Sequence, residues 1–215
     1  MKSMLTDSQR RAARMVGVAY LYAMAAWMFT VFVRGRLTVD GDTLQAAHGI
    51  LTHESWFRVA SATAWLTIAA DVVRVAGLFL ILAPVHRNLA LFATTVRLLG
   101  EIPYVGSSVS SHLASFVVMG VASAVFAYLW IRSSYVPRAL AYLGVVASLL
   151  LVAGSMEMLL IPGLRALIHP WYMAPMFFFE VGMGLWLMVQ GLREPPSPRS
   201  HLPVGAHAAG YSATF

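Results

Sequence analysis

LTIAADVVRVAGLFLIL, residues 66–82, is apolar enough to lie at the centre of a membrane span, yet it carries Asp71 and Arg74 three residues apart. Three residues is close to one helical turn, so the two side chains share a face. A charge left unpaired at mid-membrane costs about 2.5–3.5 kcal/mol on insertion scales, so that face must look inward at polar partners rather than outward at lipid. This stretch therefore predicts two things together, an all-α membrane architecture and a polar interior within it.

The rest of the chain supports that medium. Of 215 residues, 59% are hydrophobic and only 11% charged, with a mean hydropathy of +0.72, outside the range of soluble domains of this length. Cysteine is absent, which excludes disulfides, thiolate metal sites and a cysteine nucleophile together. The net charge of +6 does not indicate nucleic acid, because the basic residues flank apolar runs and do not gather into a patch.

Outward from residues 66–82, six apolar segments can be drawn, at about 12–33, 56–83, 88–109, 113–131, 139–161 and 171–192, each near the ~20 residues that cross a hydrocarbon core. Backbone groups in lipid must be satisfied within their own segment, so runs like these become helices. The expectation is a polytopic integral membrane protein, a six-transmembrane-helix bundle over residues 1–192, with 193–215 as a disordered cytoplasmic tail rich in Pro, Ser and Gly. Lys2, Arg10, Arg11, Arg14, Arg87, Arg132, Arg138, Arg193 and Arg199 would lie on the side of the termini, against Arg34, Arg36, Arg58 and Arg165 on the other. Nine against four places both termini in the cytoplasm and the protein in the inner (plasma) membrane. The first span follows SQRRAAR and contains Ala23-Met24-Ala25, but its apolar stretch runs unbroken to Val33, longer than a signal-peptide core, so it reads as an uncleaved helix.

Between the first two spans, residues 40–42 read as a turn and Asp42 as the N-cap of a short outer helix. His48 and His53 in that segment, and His112 and His169 near span ends with Glu157, have no spacing that builds a metal site. A short echo, Arg11-Ala12 with Gly17-Val18 against Arg138-Ala139 with Gly144-Val145, joins the starts of two spans of the same direction.

Ionisable groups at membrane depth recur beyond the opening stretch: Arg97 and Glu101 in the third span, Glu180 in the sixth, and Glu157 near the outer end of the fifth. Thr63, Thr67, Asp71 and Arg74 share one helical stripe, and Thr94, Arg97, Glu101, Tyr104 and Ser108 another. The simplest arrangement turns these stripes toward each other, with Asp71 paired to Arg74 and Arg97 to Glu101, within or across helices. Four carboxylates then meet two guanidinium groups, and the surplus acids must take up protons, bind a cation, or accept hydrogen bonds from Tyr104, Tyr128 or Tyr172. Trp27, Trp65, Phe116, Met173, Met176, Phe177 to Phe179 and Met183 lie at similar depth and would suit the wall of a pocket for a lipid-like or isoprenoid ligand, since aromatic faces stabilise a cationic centre. The competing reading makes these residues ordinary packing and the charges a buried pair that fixes helix register, with Gly182 and Gly184 allowing close helix approach.

With those residues in place, the blocks SQRRAARMVGVAYLY, VRGRLTVDGDTLQAAHGILTHESWFR, ILAPVHRNLALFATTVRLLGE, SSYVPRALAYLGV and FEVGMGLWLMVQG, with the Asp71 segment, resemble a bacterial membrane-protein family known only as domain of unknown function forty-three eighty-six. The resemblance runs through most of residues 8–192 and rests on the ordered series of blocks. It implies six membrane helices and no particular activity. It also implies that Asp71, Arg97, Glu101 and Glu180 match recurrent polar positions. The interval from Arg97 to Glu101 is one residue longer than the family pattern, the link between the third and fourth helices is shortened, and Ala122 stands where a histidine is expected.

Three functions follow as expectations. In the first, an intramembrane pocket holds a lipophilic small molecule and acts as an acid-catalysed cyclase or isomerase of an isoprenoid-like chain. Glu180, Asp71 or Glu101 would carry the acid chemistry, and Arg97, Arg74, Glu157, Tyr104, Trp27, Trp65 and Phe179 would bind. No glycine-rich nucleotide loop, HExxH, GxSxG or CxxC is present, so no cofactor and no metal is called for. In the second, the surplus acids serve a proton-coupled carrier, which with six spans would be expected to work as a homodimer. In the third, the protein is a membrane assembly component whose buried pairs serve structure alone.

Overall fold

In the computed structural model, residues 5–37, 52–104, 109–161, 163 and 171–194 are described. The expectations placed on residues 38–51, on His169 and on the tail beyond 194 lie outside them. The described chain is all-α. Helix α1 spans Asp7–Leu37, α2 Glu54–Tyr104, α3 Val109–Ser133, α4 Arg138–Leu160 and α5 Ala174–Val189, the last preceded by a 3₁₀ turn at Trp171–Met173. Each of the five, α5 together with its 3₁₀ turn, is long and apolar enough to cross a membrane.

Local sequence explains the ends. Helix α1 starts earlier than hydropathy suggests because Thr6 and Gln9 form a reciprocal capping box. The Thr6 N–H donates to Gln9 Oε1 at 3.0 Å, and the Gln9 N–H donates to Thr6 Oγ1 at 3.3 Å. Pro137 stands immediately before α4, and Pro175 lies in the first turn of α5, where a missing N–H costs nothing. The turn between α3 and α4 holds Ser134 at φ 56°, with Ser133 Oγ donating to the Trp130 carbonyl at 3.1 Å.

Five helical stretches stand against the six apolar segments expected. Residues 56–83 and 88–109 fall on either side of a break rather than of a loop. They belong to α2, a 51-residue stretch interrupted at His86, whose φ −160° and ψ 96° are not helical. Pro84 just before this point cannot donate a backbone hydrogen bond, and His86 Nδ1 accepts the Leu89 N–H at 3.3 Å, capping the restart. The two limbs, 54–85 and 87–104, fold back on one another. Arg97 reaches Asp71 at 2.9 Å, whereas 26 residues of straight helix would hold them about 39 Å apart.

Each helix packs on its neighbour in the chain, and α5 closes onto both α1 and α4, so the bundle is a ring. Its halves differ. Toward the termini it is solid, with Val16, Val75, Ile81, Leu82, Leu129, Trp130, Met183 and Leu187 fully buried. That end is also tied by polar contacts, since the Arg193 N–H donates to the Tyr135 carbonyl at 2.8 Å and Arg10 meets Glu194 at 2.7 Å. The other half encloses space, and the charged residues lie where the two halves meet.

Candidate functional site

The ring interior holds a cavity of about 520 Å³ to which every helix contributes, within the range of small-molecule sites. Thr67, Asp71 and Arg74 come from the first limb of α2 and Arg97 and Glu101 from the second. The remaining walls are Trp27, Met24 and Met28 of α1, Phe116 and Met119 of α3, Leu151 of α4, and Trp171, Met173, Met176, Phe177, Phe178 and Glu180 of the α5 segment. The charged groups are set on one side of an otherwise apolar, aromatic and methionine-rich chamber.

Helical periodicity places the charges and geometry pairs them. Arg97 clasps Asp71 with two hydrogen bonds, Nε to Oδ2 at 2.9 Å and Nη2 to Oδ1 at 3.3 Å, the fork geometry that suits a carboxylate. Its remaining nitrogen, Nη1, donates to Ser123 Oγ at 3.2 Å. Arg74 also binds Asp71 and reaches Glu180 Oε1 at 3.3 Å. The face of Tyr20 lies under the Arg74 guanidinium at 4.7 Å, a cation–π contact. Asp71, Arg74 and Arg97 are each 5% exposed or less. Two acids and two bases thus form one closed network joining both limbs of α2 to α3 and α5. A buried network of this kind loses most when a single partner is removed.

Glu101 stands outside it. The expected Arg97–Glu101 pair is absent because Arg97 turns back across the hairpin to Asp71. Glu101 borders the cavity, and its Oε1 is buried with no hydrogen-bond partner among the described residues. Of the two surplus acids expected, Glu157 is exposed on α4 and not among the cavity residues, which leaves Glu101 as the unmatched one.

The cavity brings together Glu180, Asp71, Glu101, Arg97, Arg74 and Trp27. It does not include Trp65, which is 63% exposed on the outer surface, nor Phe179, which is buried where it meets Gly144. The Tyr104 side chain lies outside the described part of the molecule. Tyr128 sits under Arg132 at 5.6 Å, and Tyr172 packs on Gly154. Sequence reasoning missed Ser123, Tyr20, Met28, Met119 and Trp171. A lone serine in an apolar helix carries no sign of a buried arginine on the neighbouring helix.

No curated protein and no solved structure matches the chain. A family model described as domain of unknown function (DUF4386) matches residues 15–115 and 107–191, which takes in every helix and every charged residue of the cavity. The chain is a member of that family.

Proposed function

We propose that the protein is inserted in the inner membrane with six crossings, the two limbs of α2 each making one, and with both termini cytoplasmic, and that its cavity binds a lipophilic small molecule on which Glu101 acts as the acid. The observation that carries this reading is the combination of an apolar chamber within the ring, a self-neutralising charge network and one acid left over at the chamber wall. Insertion is supported by the outward-facing Met15, Val18, Leu66, Val72, Leu80 and Leu149, and by Arg132 over Tyr128 and Arg193 over Trp186 at the end of the bundle that holds the termini, as expected of side chains at a membrane interface.

The role of Glu180 and Asp71 in this account is to hold Arg74 and Arg97, since both carboxylates already face guanidinium groups. Glu101 then protonates one carbon of a double bond in an isoprenoid-like chain. The π pair forms the new C–H bond and leaves a cation on the neighbouring carbon, which the aromatic faces of Trp27 and Phe116 stabilise. The Glu101 carboxylate takes a proton from an adjacent carbon, and that C–H pair becomes the new double bond. Isomerisation results directly, or cyclisation if a second double bond of the same chain attacks the cation first. The test compares wild type, Glu101→Gln and Glu180→Gln in reconstituted membranes, following conversion of extracted lipophiles and proton-driven uptake into vesicles. Glu101→Gln is expected to abolish conversion at unchanged thermal stability, while Glu180→Gln first lowers stability. Full conversion by Glu101→Gln overturns its role, and loss of uptake with no conversion in wild type makes the protein a carrier.

A further inference from the structure

The cavity has a side as well as a floor. Gly17 on α1 and Gly184 on α5 form a close crossing, where a Cβ on Gly17 would come within 2.8 Å of the Gly184 carbonyl and of the Met188 nitrogen. Leu21, one turn on, still covers Gly184. Met28 lies within about 40° of the same stripe, at 100° per residue, two turns further along. The helices run antiparallel, so this stripe of α1 passes from Gly184 to the first turn of α5. Yet Met28 is 50% exposed and borders the cavity. The stripe that is sealed by α5 at Gly17 and Leu21 is therefore uncovered at Met28.

The facing helix tells the same story. Phe178 shares the outward stripe of α5 with Leu185 and Val189, all exposed, and a residue on that stripe should border only the surroundings of the bundle. Phe178, 63% exposed, borders the cavity as well. The chamber thus reaches the outside of the ring between α1 and the start of α5, at the level of Met28, Phe177 and Phe178 and on the apolar flank of the molecule.

We propose that this gap is a lateral portal through which a membrane-dissolved amphiphile enters, its polar group reaching Glu101 and its hydrocarbon tail lying between Met28 and Phe178. The inference rests on the lipophile-binding reading above and narrows the ligand to molecules that partition into the bilayer and carry a hydrogen-bond donor at one end. A donor suits the buried Glu101 Oε1, which has no hydrogen-bond partner among the described residues, and it must lie beside the reacting double bond so that the same carboxyl can protonate that bond; a tail suits the apolar opening.

The absence of native cysteine makes the test clean. Met28→Cys with Phe177→Cys is reconstituted in phosphatidylcholine vesicles, left free or bridged with a bis-maleimide, and exposed to a hexadecanol carrying a diazirine near its hydroxyl. Photoadducts are mapped by mass spectrometry. The unbridged protein is expected to carry adducts on the deep wall, at Phe116 and Met119, as well as on outer residues such as Val72 and Leu80. Bridging should lower the deep adducts at least tenfold and leave the outer ones unchanged. Deep adducts that persist after bridging would overturn the portal and leave the pocket standing. No deep adducts before bridging would overturn the pocket reading itself.

Discussion

At the scale of single residues, the distinction between Arg97 and Glu101 carries most of the chemistry. Both are ionisable side chains one turn apart on the same limb, but Arg97 closes on Asp71 and Ser123 while Glu101 closes on nothing described. Replacing Arg97 with Gln leaves Asp71 half-matched in an apolar layer, and the expected loss of stability is about 3–5 kcal/mol. Replacing Glu101 with Gln removes no pair and should stay within about 1 kcal/mol of wild type. Unfolding of the two variants in detergent checks this, and equal losses would mean that Glu101 has a structural partner after all. The sequence made the inward facing of these groups legible, because six charges left in lipid would cost more than a domain's net stability. It could not decide whom Arg97 would choose. An i,i+4 acid and an acid across a hairpin are equally within reach of a long side chain, and only the fold-back at His86 brings Asp71 closer. Trp27 and Trp65 were indistinguishable for a related reason, since tryptophan serves a cavity wall and a lipid-facing surface equally well.

At the scale of elements, the glycines set how closely the helices approach. A Cβ on Gly17 would press on backbone of α5, which cannot move aside without shifting the helix, whereas one on Gly182 would meet only the tip of Leu140 at 3.2 Å. Gly17→Ala is therefore expected to destabilise by about 1–3 kcal/mol, and Gly182→Ala to be neutral or slightly stabilising because alanine is the better helix former. Thermal unfolding of both variants, side by side, provides the check, and the reverse order would contradict the crossing. Helix positions were readable to within a few residues, because apolar length is set by hydropathy alone. The continuity of α2 was not. Pro84 and the polar run from His86 to Asn88 mark a break, but whether hydrogen bonding resumes at once or after a loop depends on local capping that hydropathy does not register.

At the scale of the whole molecule, a ring of helices that is solid at one end and hollow at the other positions a charged layer between a hydrophobic core and an apolar chamber. The network explains how four charged side chains can be held there, and a fifth ionisable group, Glu101, stands at the chamber wall. Membership in the family fixes none of the chemistry, so the account depends on whether the chamber is occupied. The most direct measurement is the lipophile content of the purified protein, extracted and quantified by mass spectrometry for wild type and for Thr67→Trp, which adds bulk to the chamber from the first limb of α2. With both proteins equally stable in thermal unfolding, a tail-bearing molecule is expected at close to one per chain in wild type and at background in the variant. The same set of co-purified lipids at the same amounts in both would contradict the account.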